Sequence, residues 1–269
     1  MRLETDARLA SIPISTSSAS QGLRARTQSS LRLCAFFAAY AVFGLVGTAT
    51  SLLCLLPAVA FNGPRARMVG QNLIHSLFAF FLWYLERCDV MLVDARETEG
   101  LRNAKGSILV ANHPSLLDAV IVAGKIPSVC CIMKSSLVAN PVLCGQSRLA
   151  GYVHNKSGSK LIKTCAERVT EGSNMLIFPE GTRSGGQLGS CKRGFALLSR
   201  LTRQPVQTIL IELSCPFLGK RWPFFKVPQL PLRCRLRLGK KFSMQPGEEV
   251  KAFGRRVEEY VRAKVHAND

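Results

Sequence analysis

The ten cysteines of this chain include no C-x-x-C pair, and no histidine lies at zinc-ligand spacing from two of them. This absence argues against a zinc site and a disulfide framework, so we expect reduced thiols in a cytosolic domain. The sequence also contains no internal repeat, no G-x-S-x-G nucleophile elbow and no nucleic-acid-binding module. These absences exclude solenoid folds, the α/β-hydrolase type of serine catalysis and a nucleic-acid partner.

Acidic residues are scarce: 17 Asp and Glu stand against 36 Lys and Arg, for a formal net charge of +19. Such a balance says nothing about the fold but favours an anionic partner, such as an acidic membrane surface, protein or substrate. Much of the excess lies toward the C-terminus, where Arg233, Arg235 and Arg237 alternate along one predicted strand face. That face is either simply solvated or a surface that docks a membrane or carrier protein.

The N-terminal part divides into a polar tail and an apolar run. Residues 1–30 are rich in Ser, Thr, Ala and Arg without periodicity, which predicts a disordered tail. Cys34–Phe61 then contains 28 residues without a charge, about twice the length of a signal-peptide core, so we expect a retained membrane segment. Arginines on both flanks leave its orientation open. A helix broken near Gly44 and Gly47 that returns to the same side fits as well as a straight span.

A second apolar piece, Leu73–Leu85, is too short to span a bilayer and predicts either an interfacial helix or a helix buried against the following domain. Residues 31–88 are therefore interpreted as a membrane-associated helical segment.

From residue 89 to residue 269 we predict one α/β domain, a β-sheet covered by helices, because short β-branched runs alternate with helical stretches. The predicted strands are DVMLVD, SILVAN, SVCCIMK, NMLIF and PVQTILIEL, and the predicted helices are Ser159–Glu171, Cys191–Leu201 and Glu248–Val265.

A histidine and an aspartate stand five residues apart in the segment ANHPSLLDAV. Pro114 pushes His113 out of the helical region and favours a helix beginning at Pro114, so Asp118 leans back toward His113. A carboxylate that holds one imidazole nitrogen is the arrangement of a general base. The alternative is a histidine that only caps the helix, with Asp118 in solvent.

A second polar segment, FPEGTRS, also follows a predicted strand. Pro179 ends the strand, Gly181 permits a tight turn, and Arg183 offers a bidentate fork suited to phosphate. A solvated turn with an ordinary Glu–Arg pair is the alternative. Open α/β sheets bind ligands at the carboxyl ends of their strands, where both segments are expected.

Together the two segments resemble the PlsC-like lysophospholipid acyltransferase family, in which N-H-x4-D is followed by F-P-E-G-T-R-S. The resemblance covers roughly residues 89–214 and implies the glycerol-3-phosphate acyltransferase-like fold, a mixed β-sheet covered by helices, with an N-terminal helical membrane motif. Lys134 is similar to the lysine of the family's K-x-x-L…P stretch. GYVHNK resembles the family's G-x-x-F-I-D-R, with Lys156 in place of an arginine that binds phosphate; lysine contacts phosphate only as a point charge.

The resemblance implies transfer of a fatty acyl group from acyl-CoA or acyl carrier protein to a lysophospholipid hydroxyl, most simply that of 1-acylglycerol-3-phosphate. His113 would deprotonate the hydroxyl and Asp118 would orient His113. The acceptor-binding residues would be Lys134, Lys156, Glu180, Gly181, Thr182 and Arg183.

The resemblance further implies no metal or bound cofactor, contact with an anionic membrane, and a catalytic domain on the cytoplasmic face of an inner or plasma membrane. Gln207 and Thr208 depart from the family's last block. An ornithine lipid or glycolipid acceptor therefore stays open, as do a CoA-independent phospholipid transacylase and a non-enzymatic basic membrane-binding protein.

Overall fold

The computed structural model describes residues 17–155, 160–183 and 192–266. Within these ranges the helices are α1 (Ser17–Ala60), α2 (Pro64–Arg87), α3 (Asp118–Lys125), α4 (Cys144–Leu149), α5 (Lys160–Thr170), α6 (Gly194–Thr202) and α7 (Val250–His266). The strands are β1 (Met91–Asp94), β2 (Ile108–Ala111), β3 (Val129–Met133), β4 (Val153–His154), β5 (Asn174–Ile177), β6 (Val206–Leu213) and β7 (Leu232–Phe242). Short 3-10 helices cover Arg96–Asn103 and Ser135–Leu137.

The strands form one mixed sheet in the order β1-β7-β6-β2-β5-β3-β4. Neighbouring strands are parallel except β6 and β7, which are antiparallel. The predicted fold class, a mixed sheet covered by helices, is confirmed. Because β2 lies between β6 and β5 and runs parallel to both, the carboxyl ends of these three strands meet at one edge of the sheet.

Strand β2 is buried on both faces, as expected for a central parallel strand. Leu109 and Ala111 belong to a core cluster that also contains residues of α2 and α3. Ile108 and Val110 face the opposite cluster, which contains residues of α5, α6 and α7. The sheet is therefore the middle of three layers, and its carboxyl edge is the place where chain segments leave the core.

The apolar N-terminal region is a pair of helices joined by residues 61–63. Phe43 of α1 contacts Phe78 and Phe81 of α2, with ring centroids 6.3 and 5.1 Å apart. Arg32 forms an ion pair with Asp89, just after α2, so the chain reverses and the two helices lie side by side. This pair of helices precedes β1.

Of the two alternatives for the apolar run, the helix broken near Gly44 and Gly47 is wrong, because α1 is continuous to Ala60. Gly47 instead permits close approach: a Cβ atom there would collide with Val142 in the segment before α4. Ser51, one turn later, accepts a hydrogen bond of 2.8 Å from the amide of Gly145 on α4. The glycine therefore allows a helix to pack against the domain.

Two further boundaries differ from the prediction. Helix α1 already includes residues 17–30, which the sequence assigns to a tail, and residues 1–16 of that tail lie outside the described part of the chain. Good helix formers such as Ala, Arg, Gln and Leu explain the extension. The second apolar piece belongs to a helix of 24 residues, so it is not too short to span a bilayer. Among the residues that the structure describes, two segments could cross a membrane by length and composition: Gln28–Ala60 and Pro64–Arg87.

The arginines of β7 share one face, as predicted, since they alternate with buried residues. Arg235 pairs with Glu97 at 2.9 Å and Arg237 pairs with Glu212 at 3.1 Å. These ion pairs offset part of the positive charge that the sequence places on this strand.

Candidate functional site

The NHPSLLD segment leaves the carboxyl end of β2, and the first residue after the strand is Asn112. Its side-chain amide donates to the carbonyl of Ile211 at 2.9 Å and accepts from the amide of Ile211 at 2.7 Å. This buried side chain thus prolongs the pairing of β2 with β6 by one position. It thereby fixes the backbone position of the next residue, His113. Sequence reasoning assigned no role to Asn112.

His113 and Asp118 lie in direct contact: Nδ1 of the imidazole is 2.8 Å from Oδ2 of Asp118. The same carboxylate oxygen accepts a hydrogen bond of 2.7 Å from the amide of Ser115. Asp118 is fully buried, whereas the side chain of His113 keeps 18% of its surface exposed. In this arrangement the carboxylate holds the proton on Nδ1, so Nε2 carries the lone pair.

The backbone conformation that brings His113 and Asp118 together differs from the prediction, because helix α3 begins at Asp118 and not at Pro114. The amide of Ser115 bonds to Asp118, and the amide of Leu117 bonds to Oγ of Ser115 at 3.1 Å. Such local side-chain contacts compete with helical hydrogen bonds. The amide of Leu116 bonds to the carbonyl of Leu218 at 3.2 Å, which also holds the segment in a turn.

Burial raises the pKa of Asp118 to about 6, although the hydrogen bonds from His113 and from the Ser115 amide oppose that rise. The carboxyl group is therefore ionised at neutral pH but takes up a proton in mildly acidic solution. An ionised carboxylate in a site with little water stabilises a positive charge on the neighbouring imidazole.

Phe178, the first residue after β5, stacks on the imidazole of His113. The two ring centroids are 4.2 Å apart and the ring planes differ by 18°. A flat apolar wall on one side of the imidazole fixes its rotation and excludes water from that side. Sequence reasoning did not assign this contact, although the phenylalanine opens the FPEGTRS segment.

Glu180 joins the two segments, since its Oε1 atom accepts a hydrogen bond of 3.0 Å from the backbone amide of His113. The side chain is buried. This contact holds the backbone of His113 in place.

The turn after Glu180 exposes Gly181 and Thr182 to solvent at the edge of the sheet. Gly181 has a φ of +68°, a left-handed conformation that glycine adopts without strain. Lys192 bonds through its amide to the carbonyl of Pro179 at 2.7 Å, and its side chain passes close to Gly181. The turn therefore has a basic neighbour that the predicted site did not include.

Arg183 is partly engaged by the protein itself. Its Nη1 atom donates to the carbonyl of Leu218 at 2.8 Å and is 3.4 Å from that of Gly219. The guanidinium thus links the FPEGTRS segment to the chain between β6 and β7.

Of the two predicted lysines, the structure describes Lys134, which lies apart from this centre. Lys134 is exposed just after β3, which is separated from β2 by β5. Lys156 and Ser184 lie outside the described residues. Within the described part of the chain, no three His, Cys, Asp or Glu side chains converge as metal ligands do.

Comparison with known proteins gives a consistent result. Residues 92–212 match the acyltransferase family. The chain is 32% identical over 125 residues to a chloroplastic 1-acyl-sn-glycerol-3-phosphate acyltransferase of Brassica napus, a match covering 43% of this chain and 36% of the relative. It is 27% identical over 177 residues to a lyso-ornithine lipid O-acyltransferase of Pseudomonas aeruginosa, covering 61% of this chain and 68% of that one. The match to the plant enzyme spans only about a third of its length.

A solved structure shares the fold. The 1-acyl-sn-glycerophosphate acyltransferase PlsC of Thermotoga maritima superposes with a TM-score of 0.64 at 20% identity, over 91% of this chain and 97% of that one. The similarity therefore extends beyond the sheet and includes most of the chain.

Proposed function

We propose that this chain, which belongs to the PlsC-like acyltransferase family, transfers a fatty acyl group from a thioester to the hydroxyl of a lysophospholipid. One observation carries the proposal. A buried aspartate holds Nδ1 of His113 at the carboxyl edge of the sheet, in the contact that a histidine general base needs.

In the proposed reaction, Nε2 of His113 takes the proton of the acceptor hydroxyl, and the oxygen attacks the thioester carbonyl carbon. The new C–O bond forms, the C–S bond breaks, and the thiolate leaves with the proton that His113 has held. Asp118 stabilises the imidazolium between these two transfers. The products are an ester and a free thiol, with no acyl-enzyme on the path.

The acceptor would lie against the exposed turn of Gly181 and Thr182, next to His113 in space because Glu180 bonds to the histidine amide. Arg183 and Lys192 would supply positive charge to a phosphate group on the acceptor. We extend this role to Lys134 and Lys156 on the family resemblance alone.

We propose 1-acylglycerol-3-phosphate as the acceptor, with phosphatidate as the product, because several similar proteins carry that activity in their names. A second candidate is a lyso-ornithine lipid. The Pseudomonas aeruginosa relative with that activity covers more of this chain than the Brassica napus relative does, and one nitrogen of Arg183 is already bonded to protein carbonyls.

An acyl-transfer screen separates these candidates. Purified full-length protein is offered acyl-CoA or acylated carrier protein with lysophosphatidate, lyso-ornithine lipid and neutral lysolipids, and products are identified by mass spectrometry. We expect phosphatidate as the main product. Product formation from lyso-ornithine lipid alone would favour the second candidate. The absence of product with every acceptor would contradict acyl transfer.

The two apolar helices and the lipid-acting relatives indicate membrane association. We further propose that the catalytic domain faces the cytoplasm, where acyl-CoA and acyl carrier protein are found. Protease treatment of inside-out and right-side-out membrane vesicles tests this orientation. Cleavage of the domain only in right-side-out vesicles would contradict it.

A further inference from the structure

The chain between β6 and β7 contains a segment of unusual composition, residues 216–229, which we name the aromatic loop. Its sequence PFLGKRWPFFKVPQ has four aromatic residues, three basic residues and no acidic residue. Because β6 runs parallel to β2, the loop leaves the sheet at the edge that also holds His113.

Three contacts hold the loop against the site. The carbonyl of Leu218 accepts hydrogen bonds from the amide of Leu116 at 3.2 Å and from Arg183 at 2.8 Å. Gly219 lies so close to Pro114 that a Cβ atom on the glycine would be 3.3 Å from the proline carbonyl oxygen. The loop is therefore fixed to both polar segments of the site.

The loop is also joined to the apolar helix α1. The ring of Phe217 lies 5.7 Å from that of Phe36, and the ring of Phe224 lies 4.9 Å from that of Tyr40. The Tyr40 hydroxyl donates to the carbonyl of Phe224 at 2.8 Å. Helix α1 and the loop thus present one connected surface.

The tip of the loop exposes large apolar side chains to solvent. Phe224 is 51% exposed and Phe225 is 71% exposed, with their ring centroids 5.2 Å apart. Leu116, which lies between His113 and Asp118 in the chain, is 46% exposed. Because moving a phenylalanine side chain out of water is favourable, this surface gains from an apolar environment.

Basic groups surround these rings. Lys220, Arg221 and Lys226 are exposed, and the ammonium of Lys226 lies 5.1 Å from the centroid of the Trp222 ring. The indole nitrogen of Trp222 donates to the carbonyl of Lys226 at 2.9 Å, which fixes the ring at the base of the tip. Apolar rings bordered by cations and tryptophan are the composition of segments that lie in the interface of an anionic membrane.

We propose that the aromatic loop inserts Phe224 and Phe225 into an anionic phospholipid bilayer beside the active site, as a membrane contact additional to α1. Its connection to Gln28–Ala60, a segment long and apolar enough to cross a membrane, favours lipid over a protein partner. The proposal goes beyond the proposed acceptor, and its test measures lipid contact and not acyl transfer. It places Leu116 and the approach to His113 at the bilayer surface, where a lysolipid enters without crossing water.

A single-tryptophan experiment tests the insertion, because the chain has only two tryptophans, Trp83 and Trp222. Both are replaced by phenylalanine, and Phe225→Trp provides the probe. Leu201→Trp in the same background is the control, since Leu201 is 57% exposed on α6, on the other face of the sheet. The full-length variants are reconstituted into phosphatidylcholine–phosphatidylglycerol vesicles with brominated acyl chains, which quench tryptophan on contact.

We expect the probe at position 225 to emit at shorter wavelength than the control and to be quenched at least about twofold more strongly. Equal quenching at positions 225 and 201 overturns the proposal. A probe that shifts only when an acidic acyl carrier protein is added, and not in vesicles, overturns the lipid assignment in favour of a protein partner.

A second pair of variants tests how much the basic residues of the aromatic loop contribute to its insertion. Neutralising Lys220, Arg221 and Lys226 to glutamine removes about 1 kcal/mol of attraction per residue, so the ratio of inserted to free loop falls about fivefold for each. The control neutralises three exposed basic residues of α7, namely Lys251, Arg255 and Lys264. We expect reduced quenching at position 225 in the loop variant only. Quenching that responds equally to both triple variants overturns the electrostatic part of the proposal.

Discussion

Replacing Asp118 with asparagine removes the negative charge next to His113 while keeping the size of the side chain. One oxygen of Asp118 accepts hydrogen bonds from both the imidazole and the Ser115 amide, and an amide oxygen can accept both as well. The main loss is therefore the charge that stabilises the imidazolium. An orienting carboxylate of this kind is worth roughly 10³–10⁴-fold in kcat, or ~4–5.5 kcal/mol of activation free energy.

The same substitution, which lowers activity, is not expected to lower stability at neutral pH. Burial raises the pKa of Asp118 from its ordinary value of 3.8 to about 6, so the folded protein binds this proton more tightly than the unfolded chain. Stability from this group is therefore present at low pH and lost as pH rises from about 4 to about 6, by at most ~3 kcal/mol. Asparagine does not ionise, so Asp118→Asn should be at least as stable as the wild type at neutral pH.

The assay measures kcat for acyl transfer across the acid range together with the thermal unfolding midpoint of each variant. Wild-type activity should fall below about pH 6 as the Asp118 carboxylate takes up a proton, whereas Asp118→Asn should have low activity at every pH of this range. The control is Asp94→Asn, which changes an aspartate paired with Arg96 away from the site. A kcat for Asp118→Asn within about threefold of wild type would refute the reasoning.

Three further predictions follow from contacts in the structure. Phe178→Leu removes the stacked ring and should lower kcat about 3–10-fold with little change in KM, measured by steady-state kinetics; an unchanged kcat would contradict a positioning role. Glu180→Ala leaves a backbone amide without its acceptor and should cost about 1–3 kcal/mol in thermal unfolding, whereas Glu180→Gln should restore much of that loss; equal losses would contradict the contact. Arg67→Ala breaks a largely buried ion pair with Glu171 and should lower the unfolding midpoint by several degrees, whereas Arg96→Ala, at an exposed pair, should not. Equal shifts of the midpoint in the two variants would contradict a stabilising role of the Arg67–Glu171 pair.

The sheet was predictable from sequence because its central strands are short, β-branched and apolar on both faces. The segments SILVAN and NMLIF correspond to β2 and β5. Both polar segments follow these strands, so their meeting at one edge could be inferred without coordinates. The contact of His113 with Asp118 was predicted from a helix beginning at Pro114, whereas the structure forms it through a turn that precedes a helix beginning at Asp118.

Other features depend on partners distant in the chain, which local patterns do not reveal. Gly47 looks like a helix breaker in sequence, yet it provides space for Val142. Arg183 looks like a phosphate ligand, yet one of its nitrogens bonds to the carbonyl of Leu218, 35 residues later. Asn112 gains its role only because β6 pairs with β2.

The start of α3 was mispredicted for a local reason. Proline favours the first turn of a helix, but the contacts of the Ser115 amide with Asp118 and of the Leu117 amide with the Ser115 hydroxyl replace that turn. Propensity gives the average preference of a residue type, whereas a buried carboxylate that must reach an imidazole selects a specific backbone.

Acyl transfer by the His113→Ala variant is the most direct test of the central claim that this imidazole is the general base. The product from lysophosphatidate and acyl-CoA is measured by mass spectrometry, with His75→Gln as a control at a histidine that bonds to a backbone carbonyl of α3. We predict loss of nearly all phosphatidate formation in His113→Ala, with its unfolding midpoint retained and with His75→Gln fully active. Wild-type rates of phosphatidate formation by folded His113→Ala would contradict the account.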